Sequence, residues 1–469
     1  MDSDKKLLKP AGVTPDFARK SPGVNRKIVG GTSLNRSILR IALPAMGGYY
    51  IQMGFNMVDM FWVGKLGPAA LAAVGASTFA LWSIFTLAEV FVTGSSSIIA
   101  RRVGEDNFSA ATDFAGRIMP SVIVGGIIVG ISGLFLVKKL FSFISASEEA
   151  SRYGVEYTGI ILFGAVLIFL AMWSEAVFHA NGDAKTPMKI LIASLALNAV
   201  VTPILIFGIG PFPRLEVAGA AVGTVSCQAT GVTISLITLI KRGLLPNKLK
   251  KFRPSLSHTI QTAKIGAPMS FTGFTFCMVF VVIARITAGF GDEPLAALSV
   301  AHRMEEFAWV VNMGMYIAAV TVVGQYLGMK DIKSAIRAGW RCMWLGVAFS
   351  SVFALMYLSA GKYLLIPFTD DLAVRAYGAE YLRINALAIL FISPGVALAG
   401  AFSGSGATII SMLITVPIIA LRIPLAALLA YTAGLGVTGI WIALASAYIM
   451  RGSAMIIAYT KVKWWKKQV

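Results

Sequence analysis

Two carboxylic acids interrupt long apolar stretches near the start of the chain. Asp59 lies deep in the first stretch and Glu89 near the middle of the second. A carboxylate is costly away from water, so burial favours its neutral form, whereas a bound cation favours the ionised form. We therefore expect competition between a proton and a metal cation at Asp59. The structural alternatives are a carboxylate that caps a helix or bonds to Asn56, and a Glu89 that only bonds across helices to Asn198 or Thr93.

A glutamate and a histidine are spaced four residues apart at the end of a later apolar run. Glu175 and His179 would share one face of a helix. Histidine titrates near physiological pH, so the pair suggests a proton relay. The alternative is an interfacial pair that orders the following loop.

Several charged residues occur near the start of the eighth apolar run. Arg303, Glu305 and Glu306 are nearly consecutive, and Glu306 has Arg285 or Arg422 as candidate partners. Either glutamate would attract a cationic substrate if it faced a cavity; as buried ion pairs, the same residues would only fix helix packing. The further candidates for the cavity, by position, are Asn312 and Asn385.

These residues lie in an unusually apolar chain. Of its 469 residues, 57% are hydrophobic and 13% charged, with a mean hydropathy of +0.76. Ordinary soluble domains are less apolar and about twice as charged. Twelve runs are long enough to cross a bilayer, and none alternates like a barrel strand. The sequence predicts an all-α polytopic membrane protein with spans at 41–64, 76–100, 117–137, 157–178, 187–208, 217–240, 265–288, 299–326, 340–360, 382–402, 408–431 and 437–460.

The basic residues predict the orientation. The net charge is +19, and most of the 41 Lys and Arg residues lie in the tails and in the loops on the N-terminal side. Because positive loops stay inside, both termini are expected in the cytoplasm of a cell (inner or plasma) membrane protein. The densest loop, 241–253, would rest against anionic lipid headgroups rather than bind nucleic acid.

Motifs of enzymes are weak or missing. The three cysteines and three histidines are scattered, which predicts neither disulfides nor a metal cluster. No phosphate-binding loop or HExxH pattern occurs, so we expect no cofactor and an ion gradient as the energy source. Asp370 and Asp371 resemble half of a diphosphate-binding site, and a membrane-embedded enzyme is kept as a remote alternative.

The two halves of the sequence repeat at an offset of 224. Pro44 aligns with Pro268, Gly104 with Gly328, and Gly182 with Gly406. Six spans per half make the repeat parallel, which is common in transporters with a site between the halves. The predicted parts are a cytoplasmic tail (1–40), an N-lobe (41–240), a basic linker (241–264), a C-lobe (265–460) and a C-terminal tail (461–469).

Four segments together resemble the multidrug and toxic compound extrusion (MATE) family, closest to its DinF-type prokaryotic branch. They are QMGFNMVDMFWVGKLG at 52–67, ANGDAKTP at 180–187, RMEEF at 303–307 and VGQYLG at 323–328. The resemblance covers about residues 35–460. It implies two six-helix bundles around a central cavity and a monomer that exports organic, often cationic, compounds in exchange for H⁺ or Na⁺.

The resemblance also implies a cation site in the N-lobe. Asp59 matches an aspartate of that site and Asn198 an asparagine, so these two residues would hold Na⁺ if Na⁺ is the coupling ion. Thr202 stands where a second acidic residue is usual. Glu89 is a candidate to replace that carboxylate, and Thr224 completes the predicted set.

A related class of function is a flippase for lipids or lipid-linked oligosaccharides. Such a protein needs several arginines in its cavity to bind a polyanionic headgroup. Arg285, Arg303 and Arg422 are the candidates that the sequence offers.

Overall fold

The computed structural model describes residues 33–144, 148–248 and 252–467, and within these ranges the secondary structure is helical. Ten of the described helices are long and apolar enough to cross a membrane, and a bent pair adds an eleventh. The first helix is not among them, because Gln52, Asn56 and Asp59 lower its hydropathy. It is nevertheless 31 residues long, enough to span a bilayer.

The helices follow one another with short connections. They are α1 (Leu34–Gly64), α2 (Pro68–Gly104), α3 (Phe108–Ile144), α4 (Glu148–Phe163), α5 (Ala165–Ala180), α6 (Lys185–Phe207), α7 (Glu216–Lys241), α8 (Leu256–Ala288), α9 (Asp292–Gly328), α10 (Ile332–Leu364), α11 (Leu372–Gly404), α12 (Thr408–Ala427) and α13 (Gly436–Lys461). A π-helical turn, Leu428–Thr432, extends α12.

The fourth predicted span is not one straight helix. It divides at Gly164 into α4 and α5, which are bent by 52°. A Cβ atom at Gly164 would lie 2.9 Å from the side chain of Val225, so the glycine lets α7 pack closely at the break. The predicted run began at 157 because the preceding turns of α4 are polar.

Two predicted boundaries also shift. The first helix begins at Leu34, inside the predicted tail, and α8 begins at Leu256, inside the predicted linker. The remaining predictions for the tails and the linker fall partly on 1–32, 249–251 and 468–469, which lie outside the described residues.

The backbone repeats at the offset seen in the sequence. The helices α2 and α9 both have 37 residues, and their ends are 224 positions apart. Before them, Gly67 has a φ of 116° and Gly291 a φ of 122°, a conformation that glycine adopts without strain. Turns after α2 and α9 repeat too, with Asp106 at 58° and Lys330 at 60°.

The apolar core forms two clusters, one for each half of the chain. The first contains buried residues of α2 to α7 with Ile265 of α8, and the second contains those of α8 to α13 with Ala184 of the first half. The start of α1, with Ile38, Ile41 and Ala42, packs in the second cluster, although the end of α1, with Val63, packs in the first. The first helix therefore joins the two six-helix bundles.

The bundles are in direct backbone contact from the middle of α2 to the point where α2 and α9 end, at Gly104 and Gly328. We call this end, which carries Arg101 and Arg102, the basic end. Gly104 packs directly on the backbone of Gln325, and Gly266 of α8 packs on the backbone of Val90. Neither site has room for a Cβ atom. Thr321 adds a hydrogen bond across this contact, from its hydroxyl to the carbonyl oxygen of His179 at 3.1 Å. The basic end is closed.

Candidate functional site

Asp59 lies near the end of α1, away from the basic end, and is only 7% exposed. Its Oδ2 accepts a hydrogen bond of 3.0 Å from the hydroxyl of Thr224 on α7. Its Oδ1 has no hydrogen-bond partner. One carboxylate oxygen is thus fixed, and the other is available to a proton or a cation.

Two polar residues of α6 complete the surroundings of Asp59. Asn198 faces the carboxyl, and Thr202 follows one helical turn later. Both are fully buried, and neither the amide of Asn198, although it is close enough to interact with the Asp59 carboxyl, nor the hydroxyl of Thr202 has a partner that meets hydrogen-bond geometry. A Cβ atom at Gly223 would lie 2.6 Å from Oγ1 of Thr202, so the glycine brings α7 close to α6 here.

The structure adds two residues to this cluster that the sequence analysis missed. Tyr157 of α4 and Cys227 of α7 both interact electrostatically with the Asp59 carboxyl. Tyr157 has a counterpart in the second half, Tyr381, at the repeat offset. That recurrence of a tyrosine was the signal available in the sequence. We call Asp59, Asn198, Thr202 and Thr224, with Tyr157, the first-bundle site.

Glu89 does not belong to the first-bundle site. At about 1.5 Å of rise per residue, it lies roughly 30 Å along α2, while Asp59 is roughly 8 Å from the end of α1. Its carboxylate accepts a hydrogen bond from Thr93, whose hydroxyl lies 3.2 Å from that of Tyr316 on α9. Glu89 was predicted as a member of the cation-site set, and the structure separates it from Asp59 by this difference in depth. Glu89 lies instead at the contact between the bundles.

The predicted relay residues are both in α5 but do not bind each other. No hydrogen bond or ion pair joins Glu175 to His179 in the part of the chain that the structure describes. The ring of His179 is buried, and its carbonyl oxygen accepts from Thr321. The geometry favours a role in the closed contact at the basic end.

The predicted cavity residues of the second half separate into different settings. Arg303 is 53% exposed and pairs with Glu306 at 3.3 Å, rather than Glu306 pairing with Arg285 or Arg422. Arg285 lies at the surface beside Tyr431.

Both asparagine candidates are inside the second bundle instead of facing an open cavity. Asn312 donates to Ser350 on α10 at 3.1 Å, and Asn385 donates to the carbonyl oxygen of Tyr381 at 3.1 Å. Both are at most 1% exposed.

Glu305 is also interior, at 3% exposed. Nδ1 of His302 lies 3.5 Å from its Oε2, and its carboxyl interacts electrostatically with Tyr381, Arg422 and Tyr448. Neither carboxylate oxygen has a partner that meets hydrogen-bond geometry. The second bundle therefore contains a buried charged cluster of its own, which we call the second-bundle site.

Two six-helix bundles joined by a parallel repeat, each with a buried carboxylate, define a polytopic carrier. The sequence model of the MatE family matches residues 44–204 and again residues 268–428. The chain belongs to this family. It is a membrane transporter rather than an enzyme.

Relatives match over nearly the whole chain. A probable multidrug resistance protein NorM of Thermotoga maritima is 26% identical over 442 residues, covering 93% of this chain and 94% of the relative. An FAD transporter of Shewanella oneidensis is 26% identical over 428 residues, covering 90% and 93%.

Solved structures share the fold. A MOP superfamily transporter from Pyrococcus furiosus, reported with a binding pocket of reverse polarity, superposes with a TM-score of 0.87 at 24% identity, covering 95% of this chain and 99% of that one. A MATE family transporter in an outward-facing conformation superposes with a TM-score of 0.86 at 23% identity, covering 93% and 98%.

Proposed function

We propose that this chain is a secondary active antiporter that exports organic, often cationic, compounds in exchange for H⁺ or Na⁺ bound at Asp59. One observation carries the proposal. A buried carboxylate oxygen without a partner lies beside the unpartnered amide of Asn198, and the unpartnered hydroxyl of Thr202 lies one helical turn away. Buried polar groups normally have partners, and a cluster of exceptions points to a ligand.

The donor set fits a small monovalent ion. The first-bundle site offers oxygen atoms from Asp59, Asn198, Thr202 and Thr224, which suit a hard cation. It contains one carboxylate, so one positive charge balances it. A proton on Oδ1 would have the same effect on charge. Thr202 stands in place of a second acid, so the site has one negative charge fewer but keeps an oxygen ligand at that position.

Within this proposal, the closed basic end identifies the side of the membrane on which the structure is sealed. With both termini in the cytoplasm, as the loop charges predict, the contacts at Gly104 and Gly266 seal the cytoplasmic side. The lobes, 41–240 and 265–460, then rock as a monomer about a substrate site between them. Asp59 lies toward the outer side, where an entering ion reaches it first.

The substrate class is supported by the relatives, several of which are named multidrug resistance proteins. The flippase alternative is weaker, because the arginines that it requires do not line one cavity. Arg422 is buried, Arg303 is paired with Glu306, and Arg285 lies beside Tyr431.

The test is export of a fluorescent organic cation from proteoliposomes with an imposed proton or Na⁺ gradient. We compare the wild type with Asp59→Asn, which keeps the size of the side chain and removes its charge. The control is Asp370→Asn, because Asp370 is a fully exposed carboxylate.

Gradient-driven export that is lost in Asp59→Asn and kept in Asp370→Asn supports the proposal and identifies the ion. Equal export by the wild type and Asp59→Asn would refute the role of Asp59. If neither gradient drives export, labelled lipids are the next substrates, and the flippase gains support.

A further inference from the structure

The two buried sites occupy the same place in the repeat. At the offset of 224, Tyr157 corresponds to Tyr381, Asn198 to Arg422 and Thr224 to Tyr448. In the first set, Thr224 donates to Asp59 at 3.0 Å, and in the second, the guanidinium of Arg422 lies 4.5 Å from the ring centre of Tyr448. The members of each set also interact electrostatically with the carboxyl of their own bundle, Asp59 or Glu305. The second-bundle site is therefore the repeat-related copy of the first-bundle site.

In the second-bundle site, the carboxylate comes from a different helix than in the first-bundle site. The counterpart of Asp59 is Ile283, an apolar residue of α8, and Glu305 comes from α9, where the first bundle has Leu81. A glutamate on the neighbouring helix thus supplies the acid that α8 lacks. Its 3% exposure is comparable to the 7% exposure of Asp59.

The charge next to the carboxylate differs between the copies. Asn198 is neutral, whereas Arg422 carries a fixed positive charge, because guanidinium groups do not lose their proton in proteins. Arg422 is 6% exposed, and its guanidinium lies 4.5 Å from the ring centre of Tyr448 and 5.6 Å from that of Phe276. These aromatic faces hold the cation inside the bundle.

A second arginine accompanies the first. Arg451 corresponds to Cys227, the thiol in the field of Asp59. Arg451 donates to the carbonyl oxygen of Gly395 at 3.2 Å. It also interacts electrostatically with Arg422 and Tyr448. The other charged or titratable groups around Glu305 are His302, on its own helix, and the phenols of Tyr357, Tyr381 and Tyr448.

We propose that Arg422 is a tethered cation, which fills in the second bundle the place that the exchangeable cation takes in the first. Glu305 is then balanced by a charge that cannot leave, and the chain loads one coupling-ion site rather than two. A buried carboxylate needs a compensating charge, and a buried arginine in the same cluster supplies that charge at longer range than an ion pair and repels a second cation. This inference rests on the proposed function, because it presupposes exchange at Asp59.

The test counts bound ions in purified, full-length protein. The probes are radioactive Na⁺ at equilibrium and, in parallel, proton uptake after a pH step in weak buffer. We expect one site in the wild type and none in Asp59→Asn. Adding Arg422→Asn and Arg451→Cys to Asp59→Asn removes both fixed charges of the second bundle and gives it the first-bundle residues at these two positions. One site is expected to return.

Two controls assign the returned site. Adding Glu305→Gln to that triple variant is expected to remove the ion again. Arg422→Lys, which keeps a fixed charge, is expected to leave the wild-type number of sites unchanged. If the triple variant does not fold, Glu305→Gln alone decides, because an acid balanced by Arg422 contributes no exchangeable ion and one site should remain.

The outcomes separate the two proposals. If Asp59→Asn binds as many ions as the wild type, the proposed function fails. If Asp59→Asn binds none, but the folded triple variant also binds none, or if Glu305→Gln alone removes the wild-type ion, the tethered cation is refuted and the exchange site at Asp59 stands.

Discussion

The two bundles contain the same arrangement of helices but opposite solutions to burying a carboxylate. In the first bundle, Asp59 has neutral neighbours, and one of its oxygens has no partner. In the second, neither oxygen of Glu305 has a hydrogen-bond partner, but the buried guanidinium of Arg422 lies in the same cluster. Under the two proposals, the first site changes its charge state during exchange and the second keeps its charge state. The proposed difference between the bundles is then one of charge rather than of helix arrangement.

The largest effect is expected when a fixed cation is introduced into the first bundle. Asn198→Arg places a guanidinium beside Asp59. Two like charges about 4 Å apart repel by about 4 kcal/mol at an effective dielectric constant of about 20, so binding of the coupling ion should fall by more than about a hundredfold. Equilibrium Na⁺ binding and gradient-driven export measure the loss. Asn198→Gln is the matched control, and binding by Asn198→Arg at the wild-type level would refute the comparison.

The two carboxylates should also differ in stability. Glu305→Gln leaves the buried Arg422 without an opposite charge and is expected to lower the free energy of unfolding by about 3 kcal/mol. Asp59→Asn removes a charge that no fixed cation balances, so it should lower the free energy of unfolding by much less. Thermal unfolding in detergent compares the two variants at the same pH. Equal losses would mean that Arg422 does not stabilise Glu305.

The contact between the bundles gives a third test. Gly266→Ala inserts a methyl group against the backbone of Val90, and such overpacking costs about 1–3 kcal/mol. We expect the closed basic end to open more often, which a cysteine at Ser97, a fully buried residue, reports by faster labelling. Gly75→Ala is the control, because a Cβ atom there has no neighbour within 4 Å. Equal labelling in both variants would contradict the proposed seal.

The smallest expected effect comes from a pair of helix caps at equivalent positions. Asp331 is the residue before α10, and its side chain accepts from the N–H of Ser334 at 3.0 Å. Asn107 is the residue before α3, and its side chain accepts from the N–H of Ala110 at 3.1 Å. The hydroxyl and N–H of Ser334 hold the pKa of Asp331 below its usual value. The stabilisation is therefore present above the unfolded pKa of about 3.9 and is lost as pH falls through the lower folded pKa.

Asp331→Asn should remove this pH dependence while it keeps the cap, and Asp331→Ala should cost about 1 kcal/mol at neutral pH. Unfolding midpoints between neutral and acid pH measure both. The same slope in the wild type and Asp331→Asn would show that another acid is responsible.

The fold was largely predictable because the bilayer imposes a simple rule. Runs of apolar residues mark spans, and the parallel repeat follows from an even number of spans per half. The break at Gly164 was not predictable, because it depends on how closely α7 approaches through Val225. The shift of the first helix boundary to Leu34 depends on Ile38, which packs on the second bundle.

The site was predictable in part. Asp59 and Thr224 lie in hydrogen-bond contact, and Asn198 faces them. Glu89 was misplaced because sequence gives the helix of a residue but not its depth relative to a residue on another helix. Arg422 was considered for a flippase cavity, and its position beside Glu305 follows only from packing of α9, α11, α12 and α13.

In the proposed exchange cycle, the lobes rock when the coupling ion binds or leaves, so the ion at Asp59 should change how often the contact at the basic end opens. We would measure the labelling rate of Ser97→Cys across Na⁺ concentration and pH, with Asp59 or with Asp59→Asn, in a background without the three native cysteines. We expect the rate to depend on Na⁺ or on pH when Asp59 is present and on neither in Asp59→Asn. The same ion dependence in both proteins would refute exchange at Asp59.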